Sequence, residues 1–147
     1  MKTKKAATFA LIAIMLAFTC SCGYASHYRA VAFVHSNTRT EAYMSFFSFE
    51  GTMVFKLKCD VQGGTVNYSA NLESGSARVW IDCGNGKTEL FAIGAGGEMR
   101  SFGGEPEKGA TVYVIVETDG KCGNGYFSFE LNYPLSFPES ENTEIYT

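Results

Sequence analysis

The segment TVNYSANL at residues 65–72 alternates apolar and polar side chains with a period of two. Successive side chains of a β-strand point to opposite faces of the sheet, so this pattern predicts a strand with one buried face. The predicted inward set is Val66, Tyr68, Ala70 and Leu72. The set expected to face water is Thr65, Asn67, Ser69 and Asn71. The segment therefore predicts a half-buried strand.

Two other segments show the same alternation. In residues 127–133 the predicted inward side chains are Phe127, Phe129, Leu131 and Tyr133. In residues 53–59 they are Met53, Phe55, Leu57 and Cys59. Further runs rich in β-branched and aromatic residues are predicted strands at 28–34, 43–49, 78–82, 88–93 and 111–117. Short strands at intervals of about 8 to 12 residues predict an all-β fold, an antiparallel β-sandwich or jelly roll of about eight strands.

The first 25 residues have the layout of a secretory signal. Lys2, Lys4 and Lys5 precede the apolar run 6–18, and small residues follow it. The run is shorter than the roughly 18 to 20 apolar residues that cross a bilayer. We therefore expect an exported protein, either secreted or held at the cell surface. The predicted organisation is a signal peptide at 1–25, a β-sandwich domain at 26–133 and a flexible polar tail at 134–147.

Two cleavage sites compete at the end of this signal. Residues 19–23 resemble the lipobox of bacterial lipoproteins, and cleavage there would leave Cys22 as a lipidated N-terminus. The protein would then be anchored to a membrane through this lipid. The alternative is cleavage before Ser26, after the small residues Gly23 and Ala25, which would release the chain. Lipidation at Cys22 ranks slightly ahead of free secretion.

The cysteines give an expectation about strand ends. If consecutive strands run up and down, Cys59 and Cys83 meet at one end of the sandwich and Cys122 lies at the other. A disulfide needs Cα atoms within about 7 Å, so Cys59 with Cys83 is the favoured pair. Export permits such a bond. Only His27 and His35 could assist a zinc site, and no metal or cofactor is expected.

The four-residue pattern Cys-Gly-Asn-Gly occurs twice, at 83–86 and 122–125. Asn-Gly is the commonest tight hairpin turn because both residues tolerate positive φ. We therefore interpret both copies as turns and not as a paired metal site.

The sequence gives no sign of catalysis. It has no Gly-x-Ser-x-Gly elbow, His-Glu-x-x-His pair or phosphate-binding loop, so no catalytic residue is predicted and the protein is not expected to be an enzyme. The formal net charge is −3, which leaves no strongly basic face for nucleic acid.

The only tryptophan supplies the candidate binding site. Trp80 has the opposite parity to Val79 and Ile81, so it faces outward with Arg78 and Asp82 if those two are buried. An exposed aromatic ring between hydrogen-bonding groups could stack on a sugar or contact another protein. The alternative is an inverted register or a covered face, which would make Trp80 part of the packed interior.

The whole layout resembles small exported lipoproteins of Gram-positive bacteria: a Lys-rich signal ending in Ser21-Cys22-Gly23, then one glycine-punctuated β-sandwich. From Glu41 to Tyr133 the strand rhythm is similar to pre-peptidase C-terminal domains, the β-sandwich modules appended to secreted peptidases. These resemblances imply accessory binding or spacing without catalysis. The expected function is a non-catalytic exported or surface-anchored module that binds a carbohydrate or a protein partner. The alternative is a structural or accessory subunit of a cell-envelope complex.

Overall fold

The computed structural model describes residues 23–133, and the predicted signal up to Cys22 and the predicted tail 134–147 lie outside the described residues. The described part contains nine strands and no helix, so the all-β prediction is confirmed. The strands are β1 (His27–Val31), β2 (Val34–Asn37), β3 (Glu41–Lys58), β4 (Thr65–Ser74), β5 (Ala77–Asp82), β6 (Lys87–Ile93), β7 (Gly97–Gly103), β8 (Thr111–Thr118) and β9 (Cys122–Asn132). Within 23–133 there is accordingly no helix able to cross a membrane.

All strand pairs are antiparallel, in the order β6-β5-β8-β3-β9-β4-β7, and β1 and β2 also pair with β3. The 18-residue strand β3 joins two layers, because its first half pairs with β9 and its second half with β8. We call β2, the first half of β3, β9, β4 and β7 the first sheet. The second half of β3, β8, β5 and β6 form the second sheet.

The strand β3 bends sharply where it passes between the sheets. Gly51 in the bend has φ +125°, a conformation that only glycine adopts without strain, and a Cβ there would lie 2.3 Å from the carbonyl oxygen of His27. Beyond the bend the two halves of β3 come back together. The Asn37 side chain, next to the first half, donates to the Lys56 carbonyl at 3.0 Å and accepts from the Lys56 amide at 3.0 Å.

Aromatic side chains fill the space between the two sheets. Phe55 of the second sheet lies 6.1 Å from Phe129 of the first, measured between ring centroids. Phe91 of β6 stacks on Tyr68 of β4 at 4.6 Å and on Phe127 of β9 at 6.5 Å. Two sheets packed face to face around such a core form a β-sandwich, as the sequence predicted.

The predicted inward faces of the three regular strands are confirmed. Val66, Tyr68, Ala70 and Leu72 are buried, as are Phe127, Phe129 and Leu131, and Met53, Phe55, Leu57 and Cys59. Tyr133 is half-buried. The period-two alternation was therefore sufficient to assign the core face of these segments.

The observed strands differ from the predicted strands in three places. Segments 43–49 and 53–59 belong to the single strand β3, because the chain bends at Gly51 without leaving the sheet. Segment 28–34 is divided at Ala32, whose φ is +48°. Strand β7 was not predicted, since it is an edge strand paired only with β4 and exposes residues on both faces.

One of the two Cys-Gly-Asn-Gly patterns is a turn and the other is not. Residues 83–86 connect β5 to β6, with positive φ at Gly84 and Gly86. Residues 122–125 lie within strand β9, so the second interpretation was wrong. A Cβ at Gly125 would lie 2.8 Å from the Phe46 ring and 2.9 Å from a β4 carbonyl oxygen. Glycine is needed there for close packing between strands.

The cysteines follow the predicted geometry. Cys59 and Cys83 both pack against the loop at 104–106, at one end of the sandwich. Cys122 pairs with Phe49 beside the bend, at the other end. All three are thiols in the structure, and burial raises the pKa of Cys83 and Cys122. The Cys59–Cys83 disulfide stays a prediction.

Candidate ligand-binding face

The outer face of the first sheet carries aromatic rings among small polar side chains. It is formed by the residues of β3, β9, β4 and β7 that alternate with the buried ones. We call it the polar-aromatic face and define it by Tyr43, Ser45, Tyr126, Ser128, Asn67, Ser69, Asn71, Arg100 and Phe102.

The strand register places these side chains in rows that cross the sheet. One row runs Tyr43, Ser128, Ser69, Arg100. The next runs Ser45, Tyr126, Asn71, Glu98. Neighbouring strands lie about 4.8 Å apart, so each row extends over about 14 Å. Tyr43 and Tyr126 are diagonal neighbours on adjacent strands, within reach of one bound molecule.

Three aromatic rings of the face so defined are open to solvent, and Phe47, the next outward position of β3 toward the bend, is 62% exposed. Phe102 is 68% exposed, and Tyr43 and Tyr126 are each 38% exposed. Phe102 lies two strands and four residues away from Tyr126, a separation of about 16 Å by the ordinary spacing of strands and residues. The exposed rings are therefore spread along the face.

Hydrogen bonds between strands hold part of the face in place. The hydroxyls of Ser69 and Tyr126 lie 3.1 Å apart, across β4 and β9. The Asn71 amide donates to the Glu98 carboxylate at 3.3 Å, across β4 and β7. These contacts restrict the rotamers of the Tyr126 ring and the Asn71 amide before any ligand arrives.

Two shallow depressions lie on the face. One, of about 360 Å³, is lined by residues that include Asn67, Arg100, Phe102 and Glu130. The other, of about 480 Å³, is lined by residues that include Tyr43, Asn71, Asn124 and Tyr126. Each contains aromatic surface and amide groups, so an extended ligand could contact both.

The face is acidic. Among the outward positions of the first half of β3, β9, β4 and β7, the carboxylates are Glu41, Glu73, Glu98 and Glu130. Arg100 is the single arginine or lysine on these positions. This excess of negative charge disfavours an anionic ligand.

The sequence-predicted site at Trp80 lies on the outer face of the second sheet. Val79 and Ile81 are buried and Trp80 points outward, so the predicted parity is correct. The indole N–H donates to Glu117 at 2.9 Å, and the Lys87 ammonium lies 4.6 Å from the ring centroid. Both the polar group and one ring face of Trp80 thus have partners within the protein.

The other two predicted residues differ in their surroundings. Arg78 is exposed, beside a depression of about 620 Å³ whose lining contains no aromatic side chain. The Asp82 carboxylate accepts from the Tyr24 hydroxyl at 2.7 Å and from the amides of Gly84 and Gly86 at 2.8 and 3.2 Å. Ligand binding by Trp80, Arg78 and Asp82 stays a prediction, but Trp80 and Asp82 already have hydrogen-bond partners.

Asp82 gives a prediction about acid stability. The Tyr24 hydroxyl, followed by the Gly84 amide, lowers the pKa of this carboxyl below its usual value. A lowered folded-state pKa stabilises the fold above the unfolded pKa of about 3.9, and this stabilisation is lost as the pH falls through the folded pKa. We expect Asp82→Asn to reduce the free energy of unfolding by about 1 kcal/mol at pH 7, allowing for solvent screening.

Urea unfolding at several pH values measures this effect. The gap between the wild type and Asp82→Asn should be constant from about pH 5 to pH 8 and should close below about pH 4. A gap that widens toward low pH would contradict the assignment.

No metal site is assembled in the described range. Across residues 23–133 there is no group of three or more His, Cys, Asp or Glu side chains that could hold a metal ion. His35 instead stacks on Phe33, with ring centroids 5.0 Å apart.

Comparisons with known proteins give distant similarities. No family model and no curated protein matches the chain. Among solved structures, TmCBM61 in complex with β-1,4-galactotriose has a TM-score of 0.43 and 11% identity, covering 78% of this chain and 74% of that one. The periplasmic g-type lysozyme inhibitor PliG of Aeromonas hydrophila has a TM-score of 0.43 and 11% identity, covering 64% and 88%.

A third similar structure is a variant of CBM29-2, from family 29 of the carbohydrate-binding modules, complexed with mannohexaose. It has a TM-score of 0.40 and 13% identity, and the match covers 75% of this chain and 79% of that one. Similarity at this level transfers neither a ligand nor an activity to this protein.

The polar-aromatic face was not predicted from the sequence. The alternation at 65–72 correctly placed Asn67, Ser69 and Asn71 on the solvent side, but their neighbours Tyr126 and Arg100 come from distant strands. The signal in the sequence is the run of hydroxyl and amide residues at the outward positions Thr65, Asn67, Ser69 and Asn71 of β4.

Proposed function

We propose that this protein is a non-catalytic binding module whose polar-aromatic face holds an extended, neutral carbohydrate. The observation that supports the proposal is the combination of Tyr43, Tyr126 and Phe102, open to solvent, with amide and hydroxyl side chains between them on one sheet. Neither the rings nor the polar groups are needed for the core, which lies on the opposite side of the same strands.

The chemistry of a sugar matches this arrangement. A pyranose ring presents C–H groups on its faces and hydroxyls at its edges. Aromatic rings such as Tyr126 contact the apolar faces, while amides such as Asn67 and the Arg100 guanidinium hydrogen-bond the hydroxyls. Because these groups stand on paired strands, little conformational entropy is lost on binding.

The size and charge of the face narrow the ligand class. Exposed rings about 16 Å apart fit a chain of several sugar units better than a single sugar. Glu41, Glu73, Glu98 and Glu130 surround these rings, so uronates and phosphate-bearing polymers would be repelled. The proposed ligand is therefore a neutral oligosaccharide or polysaccharide.

Substitution of the exposed rings tests this function. We expect Tyr126→Ala and Phe102→Ala each to weaken binding about tenfold, the effect of a central contact residue. Calorimetry with soluble glucan, galactan, mannan and xylan measures the affinity, and polygalacturonate serves as the anionic comparison. Both positions are exposed, so neither variant should change the melting temperature by more than about 2 °C.

Trp80→Phe is the matched control on the other sheet, and its affinity should equal that of the wild type. Loss of binding in Trp80→Phe with none in Tyr126→Ala would place the ligand on the second sheet instead. Binding to none of the neutral polysaccharides would overturn the carbohydrate proposal. It would favour the envelope-complex alternative, for which the exposed apolar side chains Val31, Val34 and Phe47 are available.

We also propose that the protein is exported and anchored through a lipid on Cys22. The basis is the signal layout of residues 1–25 and the lipobox resemblance of residues 19–23. In that modification the Cys22 sulfur forms a thioether with the diacylglyceryl group of a phospholipid. The bond from that group to its phosphate breaks, and the phosphate-bearing headgroup leaves with the thiol proton. A binding module held at the surface in this way would retain its glycan near the cell.

A further inference from the structure

Residues 23–26, which precede β1, lie against the outer face of the second sheet. We call them the N-terminal strap. The Tyr24 hydroxyl donates to the Asp82 carboxylate at 2.7 Å, and its ring meets the Tyr113 ring edge-on with centroids 5.3 Å apart. The Ser26 hydroxyl accepts from the Val54 amide at 2.8 Å. The strap therefore contacts three strands of that sheet, namely β5, β8 and β3.

A buried residue occupies an outward position of the same sheet, near the strap. Ile115 alternates with Val114 and Val116, which face the core, yet it is only 1% exposed. Its cross-strand neighbours are Val54, whose amide bonds to the strap, and Trp80. An apolar side chain on the outer face of a sheet is buried only where something covers it. The strap and Trp80 lie on the same outer face, beside the row of residues that contains Ile115.

The Tyr24 side chain is held in place by contacts within the domain. Its hydroxyl pairs with a carboxylate that two turn amides also hold, and its pKa is raised, chiefly by the hydrogen bond to Asp82. Cleavage before Ser26 would keep the bond between Ser26 and the Val54 amide, but it would leave the Tyr113 ring and the Asp82 carboxylate without their Tyr24 partner. The two Tyr24 contacts with β5 and β8 therefore favour a mature chain that keeps this residue.

We propose that the mature protein keeps the N-terminal strap, so the signal is removed before Cys22 and not before Ser26. Of the two predicted cleavage sites, only the first retains Tyr24. The step is hydrolysis of the Ser21–Cys22 peptide bond, in which water supplies the hydroxyl of the new carboxyl and the proton of the new amine. This inference rests on the proposed export and is independent of carbohydrate binding.

The mature N-terminus tests the proposal directly. The full chain with its own signal is expressed in a bacterial host, and the exported product is analysed by intact mass and N-terminal peptide mapping. We expect a chain that starts at Cys22 and carries the mass of a diacylglyceryl group. Cys22→Ser should move the protein from the membrane fraction to the medium. A start at Ala25, Ser26 or any later residue overturns the proposal.

Substitution of Tyr24 in the exported chain tests the strap itself. We expect Tyr24→Ala to lower the melting temperature by about 4 °C, and Tyr24→Phe, which keeps the ring contact with Tyr113, by about half as much. Tyr43→Ala is the matched control, because Tyr43 is an exposed tyrosine on the other sheet, and it should leave the melting temperature unchanged. Equal melting temperatures for Tyr24→Ala and the wild type would contradict the strap.

Discussion

Replacing Phe127 by alanine is expected to lower the free energy of unfolding by about 3 to 5 kcal/mol. Phe127 is completely buried and lies 6.4 Å from Phe46 of its own sheet and 6.5 Å from Phe91 of the facing sheet. Removing the ring would leave a cavity where the two layers meet, because the paired strands around it cannot collapse inward. Single domains are stable by about 5 to 15 kcal/mol, so much of the total would be lost.

Urea unfolding followed by circular dichroism measures this loss. Phe102→Ala is the matched control, since it removes the same side chain from a strand where the ring is 68% exposed. Its effect should stay below about 0.5 kcal/mol. Similar losses in both variants would mean that Phe127 does not join the two sheets.

Replacing Gly51 by alanine is the second prediction with a large effect. The residue has φ +125°, and the added Cβ would stand 2.3 Å from the His27 carbonyl oxygen and 2.8 Å from the Tyr28 Cα. We expect a loss of about 3 kcal/mol, from backbone strain together with displacement of β1 from the bend. Thermal and urea unfolding measure the loss.

The variant Gly84→Ala separates the backbone strain from the steric contact with β1. Gly84 has φ +108°, close to that of Gly51, but no atom lies within 4 Å of a Cβ built there. This variant should show the backbone strain alone, about 1 to 2 kcal/mol. If Gly51→Ala costs no more than Gly84→Ala, the close contact between Gly51 and β1 is not important for the bend.

The fold could be predicted from the sequence where apolar and polar residues alternate regularly. Residues 65–72 and 127–133 bury every second side chain, because one face of each strand lies on the core. The apolar residues of these segments therefore recur at every second position of the sequence. Strand β7 has neither face fully covered, so its sequence GEMRSFG shows no such period. The bend at Gly51 appeared as a turn signal, since glycine marks both turns and bends within a strand.

The candidate site was harder to predict, because it depends on strand order. Tyr126 and Asn71 are 55 positions apart in the chain, and they become neighbours only because β9 pairs with β4. The position of Trp80 between Val79 and Ile81 correctly predicted that its side chain points outward. The contacts of that ring with Glu117 and Lys87 arise from β8 and β6 and have no local signature in the sequence.

The sharing of β3 by both sheets has a mechanical consequence. When the N-terminus is anchored and a ligand is held on the polar-aromatic face, a pulling force enters through the strap on the second sheet and leaves through the first sheet. One continuous backbone, β3, crosses between them. Its ladders with β8 and β9 connect both sheets to this one backbone. A force between an anchor and a bound polymer would therefore pass from one layer to the other along covalent bonds.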